Sequence, residues 1–175
     1  MWIFLAALAV LFAGALAGFL IVRSRAEAWP PPGMPPLPRG LWVTTLIAAG
    51  CSLAVGRAVS AIRLGEIRRS CRWLSATLVL GLLFLLSQTV NWWGLVSANV
   101  TARTRSLYAF TFYMLTGLHA AHVIGGLIAL VVVIARCRAG RYGSGHHDGI
   151  TYAAMYWHFL GAVWVVLFVA LLASS

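Results

Sequence analysis

The stretch LYAFTFYMLTGLHAAHVIGGLIALVVVI, residues 107–134, decides the fold. It continues for twenty-eight residues without an aspartate, glutamate, lysine or arginine. At a rise of about 1.5 Å per residue, about 20 helical residues cross a hydrocarbon layer of about 30 Å. Inside lipid only helices and closed barrels satisfy every backbone N–H and C=O, and this run lacks the strict alternation of a barrel strand. It therefore reads as a membrane helix. Four more runs share its character: residues 2–22, 41–62, 73–96 and 152–173. The second of them carries Arg57 one turn from its end, where the guanidinium reaches the headgroups along its apolar stem. The expected fold class is all-α, an integral membrane bundle of five transmembrane helices in one domain over residues 1–175.

Composition agrees. Of the 175 residues, 62% are hydrophobic and 9% charged, whereas a soluble domain carries about a quarter charged residues. The ionic groups are thirteen arginines, no lysine and three acids, Glu27, Glu66 and Asp148. A net charge of +10 raises the question of nucleic acid. The arginines, however, form no basic face interleaved with aromatics, and nucleic-acid binding is not expected. They stand in the gaps between apolar runs, as membrane-flanking charges do. The all-arginine usage suits a GC-rich bacterial genome. Cys51, Cys71 and Cys137 are scattered without C-x-x-C spacing, so neither a disulfide framework nor a zinc site is expected. Asn99-Val100-Thr101 fits the glycosylation triplet and is assigned no role.

The gaps fall on alternate sides of the membrane. One side holds Arg63, Arg68, Arg69, Arg72, Arg136, Arg138 and Arg141; the other holds Arg23, Arg25, Arg39, Arg103 and Arg105. Seven against five places the N-terminus in the cytoplasm and the C-terminus outside, in the periplasm. The first run has no positive n-region and is long for a signal peptide, although Ala15-Leu16-Ala17 resembles a cleavage site, so removal of residues 1–17 stays open. WPPPGMPPLPRG, residues 29–40, holds all six prolines. Proline lacks the N–H and fixes φ, so this gap is expected to be a stiff extended cap, with Trp29 and Trp42 as interfacial anchors.

The polar residues inside the runs are few. The third carries Gln88 and Asn91, the fourth His119 and His122, and the fifth Tyr156, Trp157 and His158. Residues three apart share a helix face, and polar side chains at membrane depth face the bundle interior and pair there. A structural polar seam through helices three, four and five is the expected arrangement, each interhelical bond worth about 0.6 kcal/mol. Three imidazoles also form a candidate metal site, but no carboxylate lies in the spans to orient them, and His119 and His122 share one helix, which does not suit haem. His146, His147 and Asp148 read as a solvated turn. With no acid at depth, an independent proton pump is not expected. Gly14 and Gly18 make a small-xxx-small pair on helix one, a surface suited to docking against another subunit.

FYMLTGLHAAHVIGG (112–126), HHDGITYAAMYWHFLGAVWVVLF (146–168), WPPPG (29–33) and LGLLFLLSQTVN (80–91) together resemble subunit III of the haem-copper oxidases, in that family's order and spacing. The five runs match its five-helix form. The resemblance implies an accessory subunit of a respiratory terminal oxidase in a bacterial plasma membrane, with no catalytic residue, cofactor or metal ligand in this chain. It places haem and copper in subunit I, makes subunits I and II and membrane lipid the partners, and allows a bound phospholipid. Four positions depart from the family's acids: Leu8, Asn91, Thr151 and Gly161, which puts the lipid and proton-uptake roles tied to those acids in doubt. A nitric-oxide-reductase accessory protein of the same superfamily is the alternative reading, and a self-contained transporter or metal-binding protein is a more distant one.

Overall fold

The computed structural model describes residues 1–27, 29, 31, 37–97 and 107–174. Five helices follow one another: α1 (Trp2–Ser24), α2 (Gly40–Arg63), α3 (Ile67–Ser97), α4 (Leu107–Arg138) and α5 (Asp148–Leu172). All five are long and apolar enough to cross a membrane. The spans read from sequence all recur, but α3 starts earlier, α4 ends later and α5 starts earlier than the apolar runs do. Helix propensity does not stop at the hydrocarbon boundary, so arginine-bearing turns continue the helices into the headgroup layer. Most of the proline segment, the Asn99–Val100–Thr101 triplet, Arg103 and Arg105 lie outside the described residues.

Helices α2 to α5 close a ring: α2 lies against α3 and α5, and α4 lies against α3 and α5. The interior is filled by Leu74, Leu115, Leu130, Ile150, Leu160 and Trp164, each almost fully buried. The outer faces carry Leu46, Leu53, Val90, Ile128 and Val169, all exposed, which suits a solvent of acyl chains. Helix α1 stands outside the ring and packs only on α4 and α5 among the described elements. Its buried residues Leu5, Leu8, Phe12 and Phe19 follow helical spacing and make a single stripe.

Two glycine turns end α2 and α4 on one face. Gly65 and Gly140 have φ of 77° and 69°, a left-handed conformation that disfavours a Cβ. In the first turn Gly65 N–H donates to Ile62 O and Glu66 N–H to Ala61 O; in the second Gly140 N–H donates to Cys137 O and Arg141 N–H to Arg136 O. Both are Schellman motifs, which satisfy carbonyls that the helix end leaves without partners. The arginines in these last turns complement the negative ends of their helix dipoles.

The cysteine reading needs correction. Cys71, in the first turns of α3, and Cys137, at the end of α4, form a disulfide with a Cα–Cα separation of 5.9 Å. Sequence spacing was silent because the two lie 66 residues apart and meet only through the antiparallel pairing of α3 with α4. Cys51 is free and buried, the small packing residue expected.

Candidate functional site in the polar interior

The polar residues of the spans make bonds mostly with hydroxyls. Asn91 Nδ2 on α3 donates to Thr44 Oγ1 on α2 at 3.2 Å. Thr44 also pairs with Ser87 Oγ at 2.9 Å and donates to the Gly40 carbonyl of its own helix at 3.0 Å. His158 Nδ1 on α5 meets Ser52 Oγ on α2. Trp92 Nε1 donates to Thr116 Oγ1 at 3.1 Å, and Trp164 Nε1 donates to Thr45 Oγ1 at 3.1 Å.

The histidines of α4 sit differently. His122 Nδ1 donates to the Leu118 carbonyl one turn back at 2.8 Å, while the His122 carbonyl accepts from Tyr156 Oη on α5 at 2.8 Å. The link between α4 and α5 therefore uses His122's backbone rather than its ring. The His119 ring is enclosed by Phe84, Trp164 and Phe12, with centroids at 5.5, 5.2 and 6.1 Å. Its Nδ1, and both amide atoms of Gln88, are buried with no hydrogen-bond partner among the described groups. His119 also borders a cavity of about 10 Å³ beside Cys51 and Gly161, room for one water molecule. Trp157 is a wedge: its ring lies over Gly81 of α3 and Gly126 of α4.

The seven residues that sequence assigns to the interior thus divide into separate local contacts, and His158 is exposed rather than buried. Asn91 is held by α2, His158 by α2, Tyr156 by α4, and Trp157 packs between α3 and α4. Helix α2, which sequence reading left out of the polar interior, supplies Thr44, Thr45 and Ser52. Thr44 and Thr45 can each satisfy their hydroxyl on the carbonyl four residues back, as both do here, so the sequence holds no sign of a longer reach. No group of three or more His, Cys, Asp or Glu side chains converges among the described residues. Of the positions where the resemblance expects acids, Leu8 is buried on α1, Asn91 bonds Thr44, Thr151 Oγ1 donates to the His147 carbonyl at 3.4 Å, and Gly161 lines the small cavity.

Thr44 carries the strongest expectation in this interior. Thr44→Val keeps the shape but leaves Asn91 Nδ2 and Ser87 Oγ without their partner, at a cost of about 1–3 kcal/mol for a buried unsatisfied group. The thermal midpoint in detergent should fall. Thr44→Ser, which keeps the hydroxyl, should restore most of it.

These features define a polytopic α-helical membrane protein whose interior polar groups join neighbouring helices. The sequence profile of cytochrome c oxidase subunit III matches residues 1–174. The chain is 36% identical over 169 residues to a cytochrome c oxidase subunit 3 of a Synechocystis species, covering 95% of this chain and 71% of the relative. It is 31% identical over 170 residues to a cytochrome c oxidase subunit 3 of Thermostichus vulcanus, covering 97% and 83%. A probable cytochrome c oxidase subunit 3 of Mycobacterium leprae is 33% identical over 159 residues, covering 90% and 77%. The chain belongs to the cytochrome c oxidase subunit III family.

Proposed function

We infer that the chain is an accessory, non-catalytic subunit of a respiratory haem-copper terminal oxidase that supports assembly and stability of the complex. The observation that carries this reading is the family match over residues 1–174, which takes in the TGLHAAHV and YWHF elements that pack together on α4 and α5. Subunits I and II are its partners, haem and copper reside in the partner chains, and oxygen is reduced there with electrons from cytochrome c or quinol. The complex lies in a bacterial plasma membrane. The excess of arginines on the face of the two glycine turns favours a cytoplasmic N-terminus.

The test is a mild-detergent pull-down of the tagged chain from its native membrane, followed by a visible spectrum and mass spectrometry. Oxidase-type haem with a large multi-span partner is the expected result. A partner of the nitric-oxide-reductase class would move the chain to that complex, and a colourless solitary protein would reject the accessory role.

Docking runs through the outer face of α1. Gly14 and Gly18 are exposed, opposite the buried Phe12 stripe, and a Cβ at either position would meet nothing within 4 Å. Such a face lets another helix approach closely. Gly14→Leu and Gly18→Leu should leave the fold and thermal midpoint of the isolated chain unchanged while lowering co-purification of the partner. Equal recovery of partner with both variants would move the contact elsewhere.

A further inference from the structure

We propose that Cys71 and Cys137 are a reversible redox site, a thiol pair that hydrogen peroxide closes and a dithiol reductant reopens at the cytoplasmic ends of α3 and α4. This face is cytoplasmic by its excess of arginines, and the site rests on that reading. Protein disulfides in that compartment are mostly transient, catalytic or sensing rather than permanent. Yet the fold brings the two cysteines to a Cα–Cα distance of 5.9 Å, within the range a disulfide needs. Geometry permits the bond and the compartment opposes it, which is the condition of a pair that cycles.

The two sulfurs are not equivalent. Cys71 is partly exposed and Cys137 is buried, so an incoming reagent meets Cys71 first. Cys71 belongs to the first turns of α3, which hold no acid, with Arg68 three residues before it and Arg72 directly after. Arg138 of α4 adds a further cation. Its Nη2 donates to Ser75 Oγ at 3.2 Å, and Ser75 Oγ donates to the Cys71 carbonyl at 3.0 Å. Glu66, just ahead of α3, is paired with Arg69. A helix N-terminus and neighbouring guanidinium groups stabilise a thiolate, the reactive form of cysteine. Cys137 lies at the opposite kind of helix end, in the last turn of α4, where the dipole disfavours negative charge. The Ile67 carbonyl oxygen is 3.9 Å from its Sγ and accepts the S–H once the bond is open. Cys71 is therefore the attacking thiolate and Cys137 the resolving thiol.

Oxidation takes two steps. The Cys71 thiolate attacks one oxygen of hydrogen peroxide and the O–O bond breaks. Hydroxide leaves, takes up a proton to become water, and Cys71 becomes a sulfenic acid. The Cys137 sulfur then attacks the Cys71 sulfur, the S–O bond breaks, and a second water leaves with the Cys137 proton. A dithiol reductant reverses this by attacking Cys71 Sγ through a mixed disulfide, leaving two thiols and its own disulfide.

The test uses the full chain in its native membranes, acid-quenched and labelled in denaturant with a mass-tagged maleimide, so that a gel counts free thiols. The chain has three cysteines, and Cys51, free and buried, supplies one label in every state. Growing cells should give three labels, a brief hydrogen peroxide pulse should lower the count to one, and recovery should restore three. A constant count of one would make the bond a permanent staple, and a constant three would mean that no bond forms; either overturns the site. A membrane-impermeant phosphine should open the bond in inverted vesicles and not in right-side-out ones. Opening from the outer side alone would overturn the cytoplasmic site and mark the orientation as the failed premise. Arg72→Gln and Arg138→Gln should each slow closure by peroxide about two- to fivefold, the factor for one neighbouring exposed charge. Arg39→Gln, at the start of α2 on the opposite face, is the control. Equal slowing in Arg39→Gln, or none in the other two, would overturn Cys71 as the attacking thiolate. An unchanged elution profile verifies folding, and because thiols are counted apart from haem, the outcome is independent of the oxidase assignment.

Discussion

Cys71→Ser is expected to lower the stability of the isolated chain by about 2–4 kcal/mol and to abolish its shift between non-reducing and reducing gels after maleimide labelling. The bond joins the start of α3 to the end of α4 across 66 residues. For a loop of that length, chain entropy alone corresponds to about 4 kcal/mol in a freely unfolding chain. Helices that stay inserted in the bilayer have less freedom to lose, which sets the lower end of the range. The Cys137 side is the more sheltered of the two, at 1% exposed, and the unaltered protein should take up no maleimide there or at Cys71 until it is reduced. The prediction bears on topology too. Disulfides are rare in reducing cytoplasm, yet the arginine count assigns this face to the cytoplasm. Two labels taken up in intact membranes without reductant would show the pair held as thiols. Protection from label, together with a lowered midpoint in Cys71→Ser, would show a bond that forms in place.

The second large effect is expected at Gly81. In an ordinary exposed helix, replacing glycine by alanine stabilises by up to about 1 kcal/mol. Here the sign reverses. A Cβ on Gly81 would lie 2.7 Å from Cη2 of Trp157 and 2.8 Å from Cδ2 of Leu127, both buried. Trp157 is a rigid ring that is also packed over Gly126 of α4, where a Cβ would meet Tyr156 Cε1 at 2.7 Å. Tyr156 is in turn tied to the His122 carbonyl. Trp157 borders only the small cavity beside His119, room for one water, too little to absorb the overlap, so α3 must move away from α4 and α5. Gly81→Ala should cost about 1–3 kcal/mol by overpacking, with a lower melting temperature and reduced recovery of the chain from membranes. Gly117→Ala is the matched comparison: nothing lies within 4 Å of its Cβ position, and its stability should be unchanged or slightly raised. Equal midpoints for the two variants would show that the Trp157 wedge is not a constraint.

Five helices were legible in the apolar runs because lipid leaves the backbone almost no choice: a run of about 20 uncharged residues must close its own hydrogen bonds. The arginine-lined turns were legible for the same reason, since charge is costly anywhere else. The family was legible in the TGLHAAHV and YWHF elements. The presence of polar groups inside was legible too, in Gln88, Asn91 and His119, with His122 and Tyr156 partly buried; His158, read as interior, is exposed. The partners of these groups were not legible. A hydroxyl at Thr44 or Ser52 has a local carbonyl within reach whatever lies opposite, and only the placement of α2 against α3 and α5 shows that it reaches another helix.

The split follows from the range of the forces. Transfer into hydrocarbon and backbone satisfaction act on each segment by itself, so length and composition determined the number of helices, the membrane class and the ends of the spans to within a turn or two. Contacts between segments depend on rotation and order of packing, which periodicity does not carry when nearly every face is apolar. That is why only the tertiary structure decided that α1 stands outside a ring of four, that Gly81 and Gly126 receive Trp157, that Cys71 meets Cys137, and that Arg57 lies over Trp73.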